Sequence, residues 1–170
     1  MYKNRLLQLV AVVVVLMAVA ASGVAVSSAH AKSKGVPFKA SVSGIITPQS
    51  GTPFFSLSGS GEASYLGLVD PYSAKGELTE FDDAGVPTAD ILIETLVAAD
   101  GTGTLTIRCE QELKQIRPNV FRGTDKWEVI GGTGSYNGAE GSGTGTTNVD
   151  LNTGTFTKDL KGNIILPNGD

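Results

Sequence analysis

Histidine and cysteine are almost absent from this chain, which has one of each in 170 residues: His30 and Cys109. His30 falls in an N-terminal segment that reads as a removable export signal, so the chain that remains has no imidazole. That excludes Ser–His and Cys–His nucleophile pairs, histidine-ligated zinc and histidine acid–base catalysis. A lone cysteine cannot close an intrachain disulfide, so an exported domain of this sequence depends on its core and its sheet. Positive charge is also scarce: 13 Lys and Arg stand against 17 Asp and Glu, and Lys3 and Arg5 go with the signal. The remaining net charge of −6 argues against nucleic acid or anionic lipid as a partner. No segment after the N-terminus has a helical period.

At the N-terminus, Lys3 and Arg5 precede an apolar run from Leu9 to Ala21, and small residues lead to Ala29-His30-Ala31. This is the order of a secretory signal peptide, with cleavage expected after Ala31 and a secreted, periplasmic or cell-surface product. An uncleaved membrane anchor is the alternative, because the apolar stretch extends to Val26 if Ser22 and Gly23 are tolerated. Residues 32–170 are enough for one domain with a real core and too few for two ordinary ones. Cleavage would leave no membrane attachment.

What the mature chain does have is alternation with period two, punctuated by turn residues. Phe38, Ala40 and Val42 alternate with Lys39, Ser41 and Ser43 in a first strand. A second runs from about Phe54 to Gly67, where Gly59 and Gly61 on one face predict a bend or a close backbone approach. Asp70-Pro71 is expected to turn the chain before a third strand from Tyr72 to Phe81. After Asp82-Asp83-Ala84-Gly85, Ile91, Ile93, Thr95 and Val97 define one face of a fourth. Leu105, Ile107 and Cys109 define a fifth, across a short loop containing Asp100-Gly101.

Leu113 to Gly123 reads as a loop because of Pro118. Its Lys114, Arg117 and Arg122 form either a solvated basic cluster or a mouth for a carboxylated ligand. Strands follow at Lys126–Ile130, about Gly141–Asp150 and Thr155–Leu166. Eight strands in hairpin succession predict an all-β, eight-stranded antiparallel up-and-down barrel of calycin-like form, since closure removes exposed edges. A β-sandwich is the alternative, because periodicity cannot distinguish closure from stacking.

The turn between the sixth and seventh strands runs Gly131-Gly132-Thr133-Gly134-Ser135-Tyr136-Asn137-Gly138. It is no phosphate cradle: Asn137 occupies the third glycine position of the dinucleotide fingerprint, and the Glu140–Gly145 segment that follows cannot start a helix. The residues instead resemble the signature turn of the dirigent-like and allene oxide cyclase-like barrels, including small exported bacterial versions. Gly59-x-Gly61-x-Ala63-Ser64-Tyr65-Leu66-Gly67 is similar to a second recurrent segment of those versions. The resemblance implies a barrel with an apolar interior, often assembled as a homo-oligomer in the plant members. It brings no catalytic residue, since none of that family's catalytic positions falls on a matching motif.

If the apolar parity points inward, Phe55, Leu57, Tyr65, Tyr72 and Ile93 line the interior. Leu105, Ile107, Cys109, Trp127, Val129 and Phe156 complete it. Such side chains either fill the barrel or wall a small apolar cavity in which Tyr65 and Tyr72 orient a ligand. Glu94, Arg108, Glu110 and Glu128 oppose the apolar set, which predicts an exposed face of ion pairs. Reversed parity would make them an interior cluster suited to acid–base work. No metal set and no cofactor motif emerges. The expectation is an exported, non-catalytic barrel that binds a small apolar molecule or serves as an interaction module. A cofactor-free cyclase or isomerase and a filled structural barrel are the alternatives.

Overall fold

The computed structural model describes residues 35–167, so the expected signal peptide lies outside the described residues. The strands are β1 (Val36–Pro48), β2 (Phe54–Ala63), β3 (Gly67–Phe81) and β4 (Pro87–Ala98), then β5 (Gly103–Arg117), β6 (Val120–Gly134), β7 (Glu140–Asp150) and β8 (Thr155–Ile165). Each pairs antiparallel with the next, and β8 pairs with β1 from Val36↔Ile164 to Ile45↔Thr155, closing the barrel. The fold is therefore the all-β up-and-down barrel and not the sandwich, and among the described residues no sheet edge is left open.

Alternation puts one parity of every strand inside. β1 buries Phe38, Ala40 and Val42, β5 buries Leu105, Ile107 and Cys109, and β8 buries Phe156, Leu160 and Ile164. Glycine accommodates what the interior cannot otherwise fit. A Cβ on Gly143 would come within 2.7 Å of Trp127 Cζ2, so inward-facing glycine on β7 makes room for the indole. Trp127 packs edge-on against Phe38 at 5.4 Å, and its Nε1 donates to the carbonyls of Thr144 and Lys161 at 3.1 and 3.2 Å. The bend expected at Gly59 and Gly61 is a register shift of β2 against β3, and a Cβ on Gly59 would collide with the Ser43 carbonyl.

Several boundaries differ from expectation. Leu113–Gly123 is not a loop: β5 runs on to Arg117 and β6 begins at Val120, so Pro118 sits at the hairpin tip where no ladder donor is needed. Asp70-Pro71 lies within β3, at an irregularity in its pairing with β4 between Val69 and Tyr72. β2 ends at Ala63, and Ser64-Tyr65-Leu66 forms the turn.

Candidate functional site

The inward parity of β4 is Leu92, Glu94 and Leu96, not Ile91, Ile93, Thr95 and Val97. β4 is apolar on both parities, so its own pattern is ambiguous, and its neighbour decides. Directly opposed residues share a face of the sheet, and Leu92, Glu94 and Leu96 stand opposite Cys109, Ile107 and Leu105. Ile93 is consequently exposed on the outer face. Tyr65 is also exposed, because the turn after Ala63 breaks the strand parity and buries Leu66 instead. Val129 is half-buried against the core. Phe55, Leu57, Tyr72, Leu105, Ile107, Cys109, Trp127 and Phe156 are buried as expected.

Register on β4 places a polar layer across the middle of the barrel. Lys158 on β8 and Glu94 on β4 are in contact, Lys158 Nζ stands 3.6 Å from Asp125 Oδ2 on β6, and all three side chains are fully buried. Tyr72 donates its hydroxyl to Glu94 Oε2 at 3.0 Å, and Lys158 Nζ lies 3.4 Å from Cys109 Sγ. Gln111 donates to Thr147 Oγ1 at 2.9 Å, and Thr147 donates onward to Asp125 Oδ2 at 2.9 Å. Arg108, Glu110 and Glu128 stay outside, joined by ion pairs of 2.6 and 3.8 Å. The interior carboxylate of reversed parity is thus Glu94 alone among those four.

These groups perturb one another. Burial pushes the Asp125 carboxyl up, an effect that Lys158 and the Thr147 hydrogen bond oppose and Glu94 reinforces. Burial pulls the Lys158 ammonium down, but Glu94, Cys109 and Asp125 outweigh it and hold the group above its ordinary value. Tyr72 and Cys109 are both pushed well up, first by burial and then by Glu94, so neither is an anion near neutral pH.

Above this layer one end of the barrel is hollow. A cavity of about 130 Å³ is walled by Ile46, Phe55, Leu57 and Leu92, and by Leu78, Leu113, Phe121 and Val149 nearer the rim. An apolar cavity of ~150 Å³ accepts benzene, so this one suits a single ring or a short branched chain. Its polar groups are few: Asp90, Gln111 and Thr147 join it from the side of the buried layer, and Thr52 from the β1–β2 turn. Asp90 Oδ1 is buried without a protein partner. Burial raises the Asp90 carboxyl from 3.8 to about 7, against the pull of Lys158 and with help from Asp125 and Glu94. A neutral carboxyl at the floor of an apolar cavity can both donate and accept a hydrogen bond.

The opposite end is closed. Gly131–Gly134 finish β6, and the turn that follows carries Tyr136 into the interior, with Gly134 and Gly138 at φ 57° and 84°. Thr133 Oγ1 accepts the Thr104 amide at 3.1 Å, and the Tyr136 hydroxyl donates to the Tyr65 carbonyl at 2.7 Å. The glycine stretch therefore builds a plug.

Asp90, Gln111, Asp125, Thr147 and Lys158 were not expected in the interior. Their signal is a polar residue standing in line with an apolar parity. Lys158 lies between Phe156 and Leu160, Glu94 between Leu92 and Leu96, and Gln111 continues Leu105-x-Ile107-x-Cys109.

Fold and site together define a closed β-barrel with a charged middle layer, a plugged end and an apolar cavity at the other end. No family model, no curated protein and no solved structure matches the chain.

Proposed function

We infer that the barrel binds a small, mainly apolar molecule carrying one hydrogen-bonding group, with the apolar part in the end cavity and the polar group on Asp90. One observation carries this reading: Asp90, whose buried Oδ1 has no protein partner, borders a cavity walled mainly by apolar side chains. A buried polar atom without a partner costs about 1–3 kcal/mol, which a ligand hydroxyl or carbonyl recovers on binding. Apolar walls with few convergent polar groups are the usual composition of such sites. The resemblance of the glycine turn to dirigent-like and allene oxide cyclase-like barrels, and the export expected from the N-terminal segment, fit a binding protein that meets small molecules outside the cell.

Binding is favoured over the cyclase or isomerase alternative by placement. Tyr72 and Glu94 lie in the buried layer and do not line the cavity, and Asp90 is the single titratable side chain among its lining residues, so no acid–base pair faces a ligand.

Phenol and benzene as paired probes test the reading, with methyl NMR shifts of Leu113 and Val149 as readout. The expected result is saturable binding of both, with phenol tighter at pH 6 and its advantage lost in Asp90→Asn. Absence of saturable shifts with either probe overturns the reading. Native mass spectrometry of the protein from its own host would identify a ligand that co-purifies.

A further inference from the structure

Lys158, Glu94 and Asp125 do not line the cavity and have their own chemistry. Lys158, Glu94 and Asp125 have no exposure, and their charged atoms converge on one point. We propose that Lys158 and Glu94 condense within the folded barrel into an intramolecular amide, with Asp125 as the acid–base group that carries the proton to the departing oxygen.

The geometry supplies each part. Lys158 Nζ touches Glu94 Oε1, so the nitrogen is already at the carboxyl group. Tyr72 donates to the other oxygen, Oε2, at 3.0 Å, where it can stabilise negative charge in a tetrahedral intermediate. Asp125 Oδ2 lies 3.6 Å from Nζ and is oriented by the Thr147 hydroxyl. Apolar side chains exclude bulk water: Leu92, Leu96 and Ile107 neighbour Glu94, and Phe156 and Leu160 flank Lys158. Fixed juxtaposition of this kind is worth effective concentrations of about 10⁵–10⁸ M.

The step balances without any co-reactant. One ammonium proton passes to Glu94 Oε1, leaving a neutral amine and a neutral acid. Nζ attacks Cδ, and its second proton goes to Asp125. Asp125 returns that proton to Oε1, which leaves as water, while the carbonyl re-forms at Oε2. The third proton stays as the amide N–H. Water can leave past Thr147 and Gln111, which connect Asp125 to the end cavity. The product removes two charges from a medium where each costs several kcal/mol to bury. It also ties β4 to β8, opposite walls of the barrel separated by 64 residues, in a chain whose single cysteine forms no internal disulfide.

Tryptic mapping of the purified wild-type chain under denaturing conditions decides the matter. The expected product is Gly76–Arg108 joined to Trp127–Lys161, lighter than their sum by one water, with cleavage after Lys158 blocked. A free peptide ending at Lys158, with the chain at its full sequence mass, overturns the proposal. So does a branch joining Lys158 to the peptide that contains Asp125. Asp125→Asn, checked for a native circular dichroism spectrum, should lose the branch, and wild-type yield in that variant overturns the role given to Asp125. The wild-type map requires no variant, so the amide is tested even if that barrel does not form.

Discussion

One end of the barrel carries four strand connections and the other three, yet the end with three is packed solid and the end with four is hollow. At the solid end Tyr136 folds back from its turn and hydrogen-bonds the Tyr65 carbonyl, while Leu66, Val69 and Ala139 are buried around it. Trp127 and Phe38 fill the layer below. At the hollow end the turns bring no ring inward: Leu78, Leu113 and Val149 are only half-buried, and Phe54 points largely to solvent. Strand number sets the width of a barrel, but the size and position of a few side chains decide whether that width is filled. Replacing residues at each end should therefore produce effects of opposite kind, on stability at one and on binding at the other.

The largest expected effect is at the solid end. Trp127→Ala removes a buried indole and both of its hydrogen bonds from a space shaped by glycine, and should cost about 3–5 kcal/mol in urea unfolding. A loss below ~1 kcal/mol would mean that this half is no better packed than the other.

The inward face of several strands was legible beforehand. Trp127, Phe156 and the Leu105-Ile107-Cys109 face alternate cleanly with polar neighbours, and clean alternation is what a half-buried strand produces. β4 was not legible, because Ile91-Leu92-Ile93 offers either parity and only pairing with β5 selects one. Choosing the wrong face hid Glu94, and with it the reason for burying Lys158 and Asp125. Charges on an apolar parity read as surface in any single strand. They make sense only when three strands, distant in sequence, bring opposite signs to one layer.

The second effect is on pH. The Asp90 carboxyl is raised in the folded protein to about 7 from 3.8, so the folded state holds a proton that the unfolded state has released across most of that interval. Its contribution to stability is complete below pH ~4 and is lost as the pH rises through about 7. Burial raises Asp125 in the same direction. Between pH 8 and pH 5 the unfolding free energy should rise by about 2 kcal/mol, measured by urea titration at fixed ionic strength. Asp90→Asn should flatten most of that slope, and an unchanged slope would remove the cavity floor from the account.

A smaller change tests the plug alone. Tyr136→Phe keeps the ring and removes the donor to the Tyr65 carbonyl, which should cost about 1 kcal/mol and leave phenol binding at the far end unaltered. Altered binding would mean that the two ends are coupled through the charged layer.

The smallest expected change in stability separates the ends most sharply. Val149 points inward from β7 at the hollow end, half-buried and lining the cavity. Val149→Phe adds a ring to space that is already empty, so no close-packed neighbour must move, and overpacking, which normally costs about 1–3 kcal/mol, has little to act on. Burial of the added apolar surface offsets the lost side-chain freedom, leaving stability within about 0.5 kcal/mol of the parent. The same ring occupies the volume a ligand would take, so phenol binding should disappear while the urea midpoint stays. If binding survives, the ligand site is elsewhere. If stability falls by more than ~1 kcal/mol, the space was not free, and the two ends differ less than their side chains imply.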